Sequence, residues 1–225
     1  MDLNSKRILV VGGSGVLGGE IAKILSSKGA QVLATASSAD SAARIPVEAH
    51  LRLLVDLSDS ASIRVLTDYL QANEQLDGVI VAAGRVGFGA ATETPVEQAS
   101  ALSQVNYLGP VQLLTALAPA IKGREDAFVA AITGVVAEKS FPGMSAYCAS
   151  KSALSSWLGS VATEWRRDKI RVIDARPGHT ETGLATRPLF GTAPQMPAGM
   201  TPQHVAEVIV AAIESGATSV ASTDF

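Results

Sequence analysis

Short, mostly apolar and β-branched runs alternate along the chain with longer stretches in which apolar residues recur every three or four positions. The runs Arg7–Val11, Gln31–Thr35, Leu51–Val55, Gly78–Ala82, Phe128–Ile132 and Arg171–Ala175 predict strands, with a weaker one near Ser219–Ala221. Helical spacing predicts helices over Leu17–Ser27, Ser60–Gln71, Ala99–Ile121, Tyr147–Arg167 and Pro202–Glu214. Strands that are apolar throughout belong to parallel sheets covered by helices on both faces. The expectation is therefore an α/β fold, a doubly wound parallel sheet in a single domain over 1–225. Thr186–Thr201, rich in Pro, Gly and Met, breaks the pattern and reads either as a substrate loop over the site or as a surface loop.

Composition changes this picture mainly by exclusion. The chain has 225 residues, 47% of them hydrophobic, and a net charge of −3 without any basic block, so neither nucleic acid nor an anionic membrane surface is an expected partner. Lys6-Arg7 is followed by only Ile8–Val11 before a glycine cluster, too short for a signal-peptide core, and no apolar run approaches the roughly 18 residues of a membrane span. A cytoplasmic protein is expected. One cysteine, Cys148, and three histidines, His50, His179 and His204, argue against a disulfide framework or a metal site. Two of the predicted helices carry more apolar residues than one core face needs: Val105, Leu108, Val111, Leu113, Leu114 and Leu117 in one, Leu154, Trp157, Leu158 and Val161 in the next. Such a surplus asks for a partner subunit.

The first predicted strand runs straight into Gly12-Gly13-Ser14-Gly15-Val16-Leu17-Gly18-Gly19, and helical spacing begins at once. Glycines at 12, 15 and 18 let the backbone turn tightly and approach a pyrophosphate, whose charge is met by free N–H groups at the helix N-terminus. The strand–turn–helix position, more than the string itself, makes this a Rossmann-like dinucleotide site. A site for NAD usually sets Asp or Glu at the end of the second strand. Here Thr35-Ala36-Ser37-Ser38 stands there, with no carboxylate to repel a 2′-phosphate; Ser37 and Ser38 can donate to one and Arg44 can reach it. NADP(H) is thus favoured over NAD(H). Asp56 fits either a group near the adenine amine or the cap of the helix beginning near Ser58.

Tyr147 and Lys151, four residues apart, share a helix face just after the fifth strand, where the carboxyl edge of the sheet presents them to a bound dinucleotide. A lysine ammonium beside a phenol is expected to lower its pKa and make it a proton donor and acceptor near neutrality. Such chemistry accompanies hydride transfer with a nicotinamide. With the glycine turn, Asp56-Leu57, Ala82-Ala83-Gly84, Val105–Gly109, Ser145–Lys151 and Arg176–Thr182, the sequence resembles the short-chain dehydrogenase/reductase family over nearly its whole length. The resemblance implies Tyr147 as general acid/base, Lys151 on the nicotinamide ribose, Asn106 holding a water in the proton relay, and Pro177, Gly178, Thr180 and Thr182 seating the carboxamide. It also implies that Asp56, Leu57, Ala83 and Gly84 border the cofactor and that the two long helices pair into a homodimer or homotetramer.

Three departures from the family pattern bear on function. Val11 and Val16 replace residues of its glycine turn, and Ala82 replaces the usual Asn. Thirteen residues before Tyr147, where the family keeps a catalytic Ser, stands Gly134, which has no side chain to polarise a carbonyl. Thr133 beside it, or Ser145 two residues before Tyr147, could supply that hydroxyl, with Ser145 favoured because a strand-end Thr133 side chain points away from the face of residue 134. The leading expectation is an NADP(H)-dependent oxidoreductase acting on a small, uncharged carbonyl or alcohol. A nucleotide-binding sensor that has lost turnover, and an isomerase or dehydratase on the same fold, are the competing readings.

Overall fold

The computed structural model describes residues 1–46 and 48–225. Among them, strands β1 (Arg7–Val11), β2 (Gln31–Ala36), β3 (Leu51–Leu54), β4 (Gly78–Val81), β5 (Phe128–Ile132), β6 (Arg171–Ala175) and β7 (Ser219–Val220) form one parallel sheet in the order β3-β2-β1-β4-β5-β6-β7. The expected doubly wound, Rossmann-like fold is present. Strand order reverses between β1 and β4, and ligands of open α/β sheets bind at the carboxyl edge of such a switch point.

Alternation along the strands divides the core in two. Leu9, Val11, Val79, Val81 and Ala131 meet residues of α3 (Ser60–Asn73), α5 (Gly109–Ile121) and α6 (Ser145–Glu164). On the other face, Ile8, Val10, Ile80 and Ala130 meet α1 (Val16–Ser27) and α7 (Pro202–Ser215). Ile21 and Leu25 of α1 and Ile209 and Ile213 of α7 are completely buried there; truncating any of them to Ala costs about 2–5 kcal/mol. Thr201 caps α7, its hydroxyl accepting from the His204 N–H, and Gly216 ends it in the left-handed conformation.

The helix expected over Ala99–Ile121 is instead three pieces. α4 runs over Val96–Ser103, a π turn occupies Gln104–Leu108, and α5 follows at Gly109. The Gly109 N–H reaches back five residues to the Gln104 carbonyl, and Pro110 has no N–H to return to the Asn106 carbonyl four residues earlier. At Gly109 the helix runs so close to Leu57 that any Cβ would collide with the Leu57 carbonyl oxygen. The apolar surplus that suggested a partner is largely absorbed within the chain. Leu113, Leu114, Leu117, Leu154, Leu158 and Val161 are core residues, and only Leu108 of that set is exposed. Among the described residues no helix is long and apolar enough to cross a membrane.

Candidate active site

The turn after β1 is a backbone cradle. Gly12 is left-handed at φ +86°, and a Cβ on it would lie 2.8 Å from the Cα of Ala83. A Cβ on Gly18 would strike the Gly12 carbonyl oxygen, so the helix starts closer to the turn than any side chain allows. The Gly15 N–H bonds to the Gly12 carbonyl, whereas the N–H groups of Val16, Leu17 and Gly18 have no partner among the described residues. Three free amides at a helix N-terminus, floored by Ala83 and framed by Ser14, suit a pyrophosphate.

At the end of β2, Ser37 and Ser38 part company. Ser38 caps the short α2 (Ala39–Ala42), its hydroxyl accepting from the Ser41 N–H at 3.2 Å, which engages one of the two hydroxyls expected to meet a 2′-phosphate. Ser37 and Arg44 are exposed; no carboxylate stands at Ser37 or Ser38, and the first one after β2 is the exposed Asp40 in α2. The capping alternative for Asp56 is also corrected, because Asp59 caps α3. Asp56 instead accepts from the Ser58 N–H and hydroxyl through Oδ1, in an Asx turn that fixes the loop around the buried Leu57.

At the opposite side of the switch point, α6 starts at Ser145 and brings Tyr147 and Lys151 onto one face. Lys151 is 5% exposed and donates to the Ile132 carbonyl at 2.7 Å. A Cβ on Gly84 would lie 3.2 Å from both Lys151 Nζ and Asn106 Oδ1, so the Ala82-Ala83-Gly84 turn passes directly over the ammonium. Burial holds Lys151 down at about 8 despite the opposing pull of Asp174. Burial, with a smaller push from Cys148, raises the Tyr147 phenol to about 12. The expectation that Lys151 lowers the phenol is not met: the ammonium bonds to the Ile132 carbonyl and desolvation dominates at the tyrosine.

Asn106 is fully buried and its amide is fully engaged. Oδ1 accepts from the Arg85 N–H at 2.9 Å, while Nδ2 donates to the Arg85 carbonyl and the Ser150 hydroxyl at 2.8 and 3.0 Å. A relay water held by this side chain is therefore not what the geometry offers. What remains for that role is the Asn106 main-chain carbonyl in the π turn, which Pro110 leaves without its α-helical donor.

Gly134 is left-handed at φ +83° and brings no side chain to the site. Thr133, one of the two candidate replacements, is fully buried and its hydroxyl donates to Asp174 Oδ1 at 2.5 Å, so it is excluded as the substituting hydroxyl. Ser145 is exposed as the first residue of α6, two positions before Tyr147. Asp174 itself escaped the reading of the sequence. The available signal was a carboxylate inside the otherwise apolar run Val172-Ile173-Asp174-Ala175, since a buried charge must have partners.

The Pro177–Thr182 segment leaves β6 at the same edge. The buried Pro177 accepts from the Val135 N–H at 2.8 Å, Thr180 donates to the Gly178 carbonyl at 3.0 Å, and Thr182 accepts from the Leu184 N–H at 3.3 Å. Thr186–Thr201 is pinned rather than loose: Leu189 N–H bonds to Val86, Phe88 N–H to Phe190, and Met200 N–H to His179. Gly87 lies under the Phe190 ring and Gly191 against the Phe88 carbonyl, so the loops after β4 and β6 interlock through two reciprocal Gly–Phe contacts. Beside this clasp a recess of about 290 Å³ opens, lined by Phe88 and Phe190 together with Glu93, Thr94, Gln98 and Thr192. The Gly89 N–H ties it to Gly143, just before α6.

Known proteins share this fold. Residues 6–188 match the family described as short chain dehydrogenase. A dehydrogenase/reductase SDR family protein 7-like from Anopheles gambiae is 30% identical over 94% of this chain and 73% of its own length. A short chain dehydrogenase of Burkholderia cenocepacia, solved in complex with NADP, superposes with a TM-score of 0.86 at 21% identity over 98% of this chain and 89% of that one. A short chain dehydrogenase/reductase of Burkholderia phymatum, solved with NAD, gives 0.87 at 20% identity over 99% and 90%.

Proposed function

The chain belongs to the short-chain dehydrogenase/reductase family of oxidoreductases, and from that premise we propose that it interconverts a small, uncharged carbonyl compound and its alcohol with NADP(H), Tyr147 acting as general acid/base. The observation that carries this reading is the convergence at one sheet edge of Tyr147, the buried Lys151 beneath Gly84, and the glycine cradle floored by Ala83. The cradle fits a dinucleotide: Gly12 and Gly18 pack the turn too tightly for a Cβ, against Ala83 and the Gly12 carbonyl, and the Val16, Leu17 and Gly18 amides are free to take phosphate oxygens. NADP(H), when bound, supplies or takes the hydride. Lys151 holds the ribose hydroxyls, Pro177, Gly178, Thr180 and Thr182 frame the carboxamide, and Asp56 and Leu57 border the adenine.

Reduction requires a proton at the carbonyl oxygen, and Tyr147 holds one: a phenol raised to about 12 is fully protonated at neutral pH. Ser145 donates a hydrogen bond to that same oxygen as charge develops on it. The Phe88–Phe190 recess receives the apolar body of the substrate, and the loop over residues 186–201 covers it. Preference for NADP(H) is supported by the lack of a carboxylate at Ser37-Ser38 after β2 and by Arg44 just beyond α2, while the neighbouring structures include one with NADP and one with NAD. Assembly as a homodimer or homotetramer and a cytoplasmic location belong to the same proposal; light scattering at micromolar concentration tests the first.

A second reading, a nucleotide-binding sensor with little turnover, is favoured by Gly134 and by the engagement of Thr133 with Asp174. The two are separated by an NADPH-oxidation screen over ketones, aldehydes and quinones, with NADH alongside. Oxidation of NADPH by some carbonyl, faster than of NADH and abolished in Tyr147→Phe, is expected. Tight NADPH binding with no oxidation across the panel makes the protein a sensor.

A further inference from the structure

Asp174 stands in a strand whose neighbours Val172, Ile173 and Ala175 are all buried and apolar. A carboxylate there is tolerable only if donors meet its oxygens. Thr133 Oγ1 donates to Oδ1 at 2.5 Å, and Ser155 Oγ and Arg176 Nη1 donate to Oδ2 at 2.6 and 2.9 Å. These donors come from three segments: the end of β5, the middle of α6 and the turn leaving β6. Each adjoins a residue of the candidate site. Thr133 follows Ile132, whose carbonyl takes the Lys151 ammonium; Ser155 lies one helical turn beyond Lys151; Arg176 precedes Pro177.

We propose that Asp174 is a positioning residue for Lys151, clamping the end of β5 to α6 so that the Ile132 carbonyl and the lysine ammonium are held against each other. The assignment rests on reading Lys151 as part of the cofactor site. Both carboxylate oxygens are bonded to the protein, so Asp174 acts through Lys151 rather than on a ligand. Its charge works with its geometry, pulling upward against the burial that lowers the lysine, which stands at about 8 with both acting. The other titratable or charged groups around Lys151 are Tyr147 and Cys148 on its own helix and Arg176 beyond β6, which also pairs with Glu138 at 2.6 Å. The π turn brings the neutral Asn106 beside Gly84 and also contains Tyr107, and Arg85 beside Gly84 is exposed. Tyr147 stays neutral until far above neutral pH, which leaves Asp174 as the counter-charge to the ammonium among these groups.

A merely structural knot would stabilise the fold without setting the ionisation of Lys151. The test is an NMR titration of the full chain labelled with 13Cε-lysine, Lys151 being assigned by loss of its signal in Lys151→Arg. The midpoint in the parent protein is expected near 8. Asp174→Asn, which preserves volume and can still accept from Thr133, is expected to lower it by about half a unit or more, with a several-fold loss of NADPH affinity. A folded Asp174→Asn protein with an unmoved Lys151 midpoint overturns the proposal. If that variant does not fold, Thr133→Val and Ser155→Ala carry the test, each cutting one arm of the clamp: a lowered midpoint in either supports it, and unchanged midpoints in both overturn it. The titration needs no turnover, so absence of carbonyl reduction would undo the functional reading alone.

Discussion

The two halves of the candidate site are built from different materials. Around β1, α1 and β2 the cradle is backbone: glycines without room for a Cβ, free amides, and exposed side chains that could vary without disturbing it. Around β5, α6 and β6 the site is side chains, Lys151, Asn106, Thr133 and Asp174, all buried and wired to one another or to carbonyls. The first half is governed by steric fit. The second is governed by charge and hydrogen bonding in a desolvated setting, where one altered group leaves its partners unsatisfied. Substitutions in the two halves should therefore fail in different ways.

The largest expected effect falls on the side-chain half. Tyr147→Phe deletes the proton donor and keeps the ring, so turnover should drop by about 10²–10⁴ while NADPH binding, followed by fluorescence, stays within a few-fold. Ser145→Ala should cost about 10² in kcat if its hydroxyl bonds the substrate oxygen. Gly134→Ser should then gain little, because the donor is already supplied. If Ser145→Ala retains full activity while Gly134→Ser gains several-fold, the oxygen lacks a protein donor in the parent chain.

Legibility in the sequence follows the same division. The strands and the glycine turn could be read because apolar runs, β-branching and glycine spacing are local signals, and a backbone site leaves its mark on the residues that form it. The π turn at Gln104–Leu108 could not, since Val105, Leu108 and Val111 keep helical spacing while only the hydrogen-bond register changes. Roles that depend on partners distant in the chain were also beyond reach. Thr133 and Asp174 are 41 residues apart, and nothing near Thr133 announces that its hydroxyl is taken. Ser38 was lost for a local reason, a cap formed with Ser41 three residues on. The direction of the Tyr147 shift is not legible either, because spacing alone reveals neither burial nor where the ammonium bonds.

In the backbone half the expected losses are smaller and concern binding. Gly12→Ala forces a Cβ into a left-handed position 2.8 Å from the Ala83 Cα, so stability should fall by about 1–3 kcal/mol and NADPH affinity by at least about tenfold. Gly143→Ala is the control, equally left-handed at φ +73° but with nothing within 4 Å of the added Cβ. It should cost stability without touching cofactor affinity. Milder still is Ser37→Asp, which sets a carboxylate where a 2′-phosphate would lie and should shift the NADPH/NADH affinity ratio by about tenfold toward NADH. Tighter NADH binding by the parent protein, in paired fluorescence titrations, would sink the assigned preference.

The smallest expected effect concerns stability, and it asks what burying Lys151 costs. A lysine held at about 8 in the folded chain and free to return to its ordinary 10.5 on unfolding makes the unfolded state the better proton binder between those values. This group therefore adds stability as pH rises from 8 toward 10.5, and below 8 its full penalty is present. Lys151→Met removes the charge at similar length but leaves the Ile132 carbonyl without its donor, a partial offset. At pH 7 the variant should be more stable than the parent by about 1–2 kcal/mol, although inactive or nearly so. The advantage should shrink through pH 8–10, before the Tyr147 phenol, raised to about 12, begins to lower stability in both proteins as the unfolded chain loses its tyrosine proton. Urea denaturation of both proteins across pH 6–10 measures it. A parent chain that is the more stable at pH 7 would mean that the bond to Ile132 and the charge of Asp174 together outweigh desolvation. Burial of the ammonium would then stabilise the fold as well as serve the site.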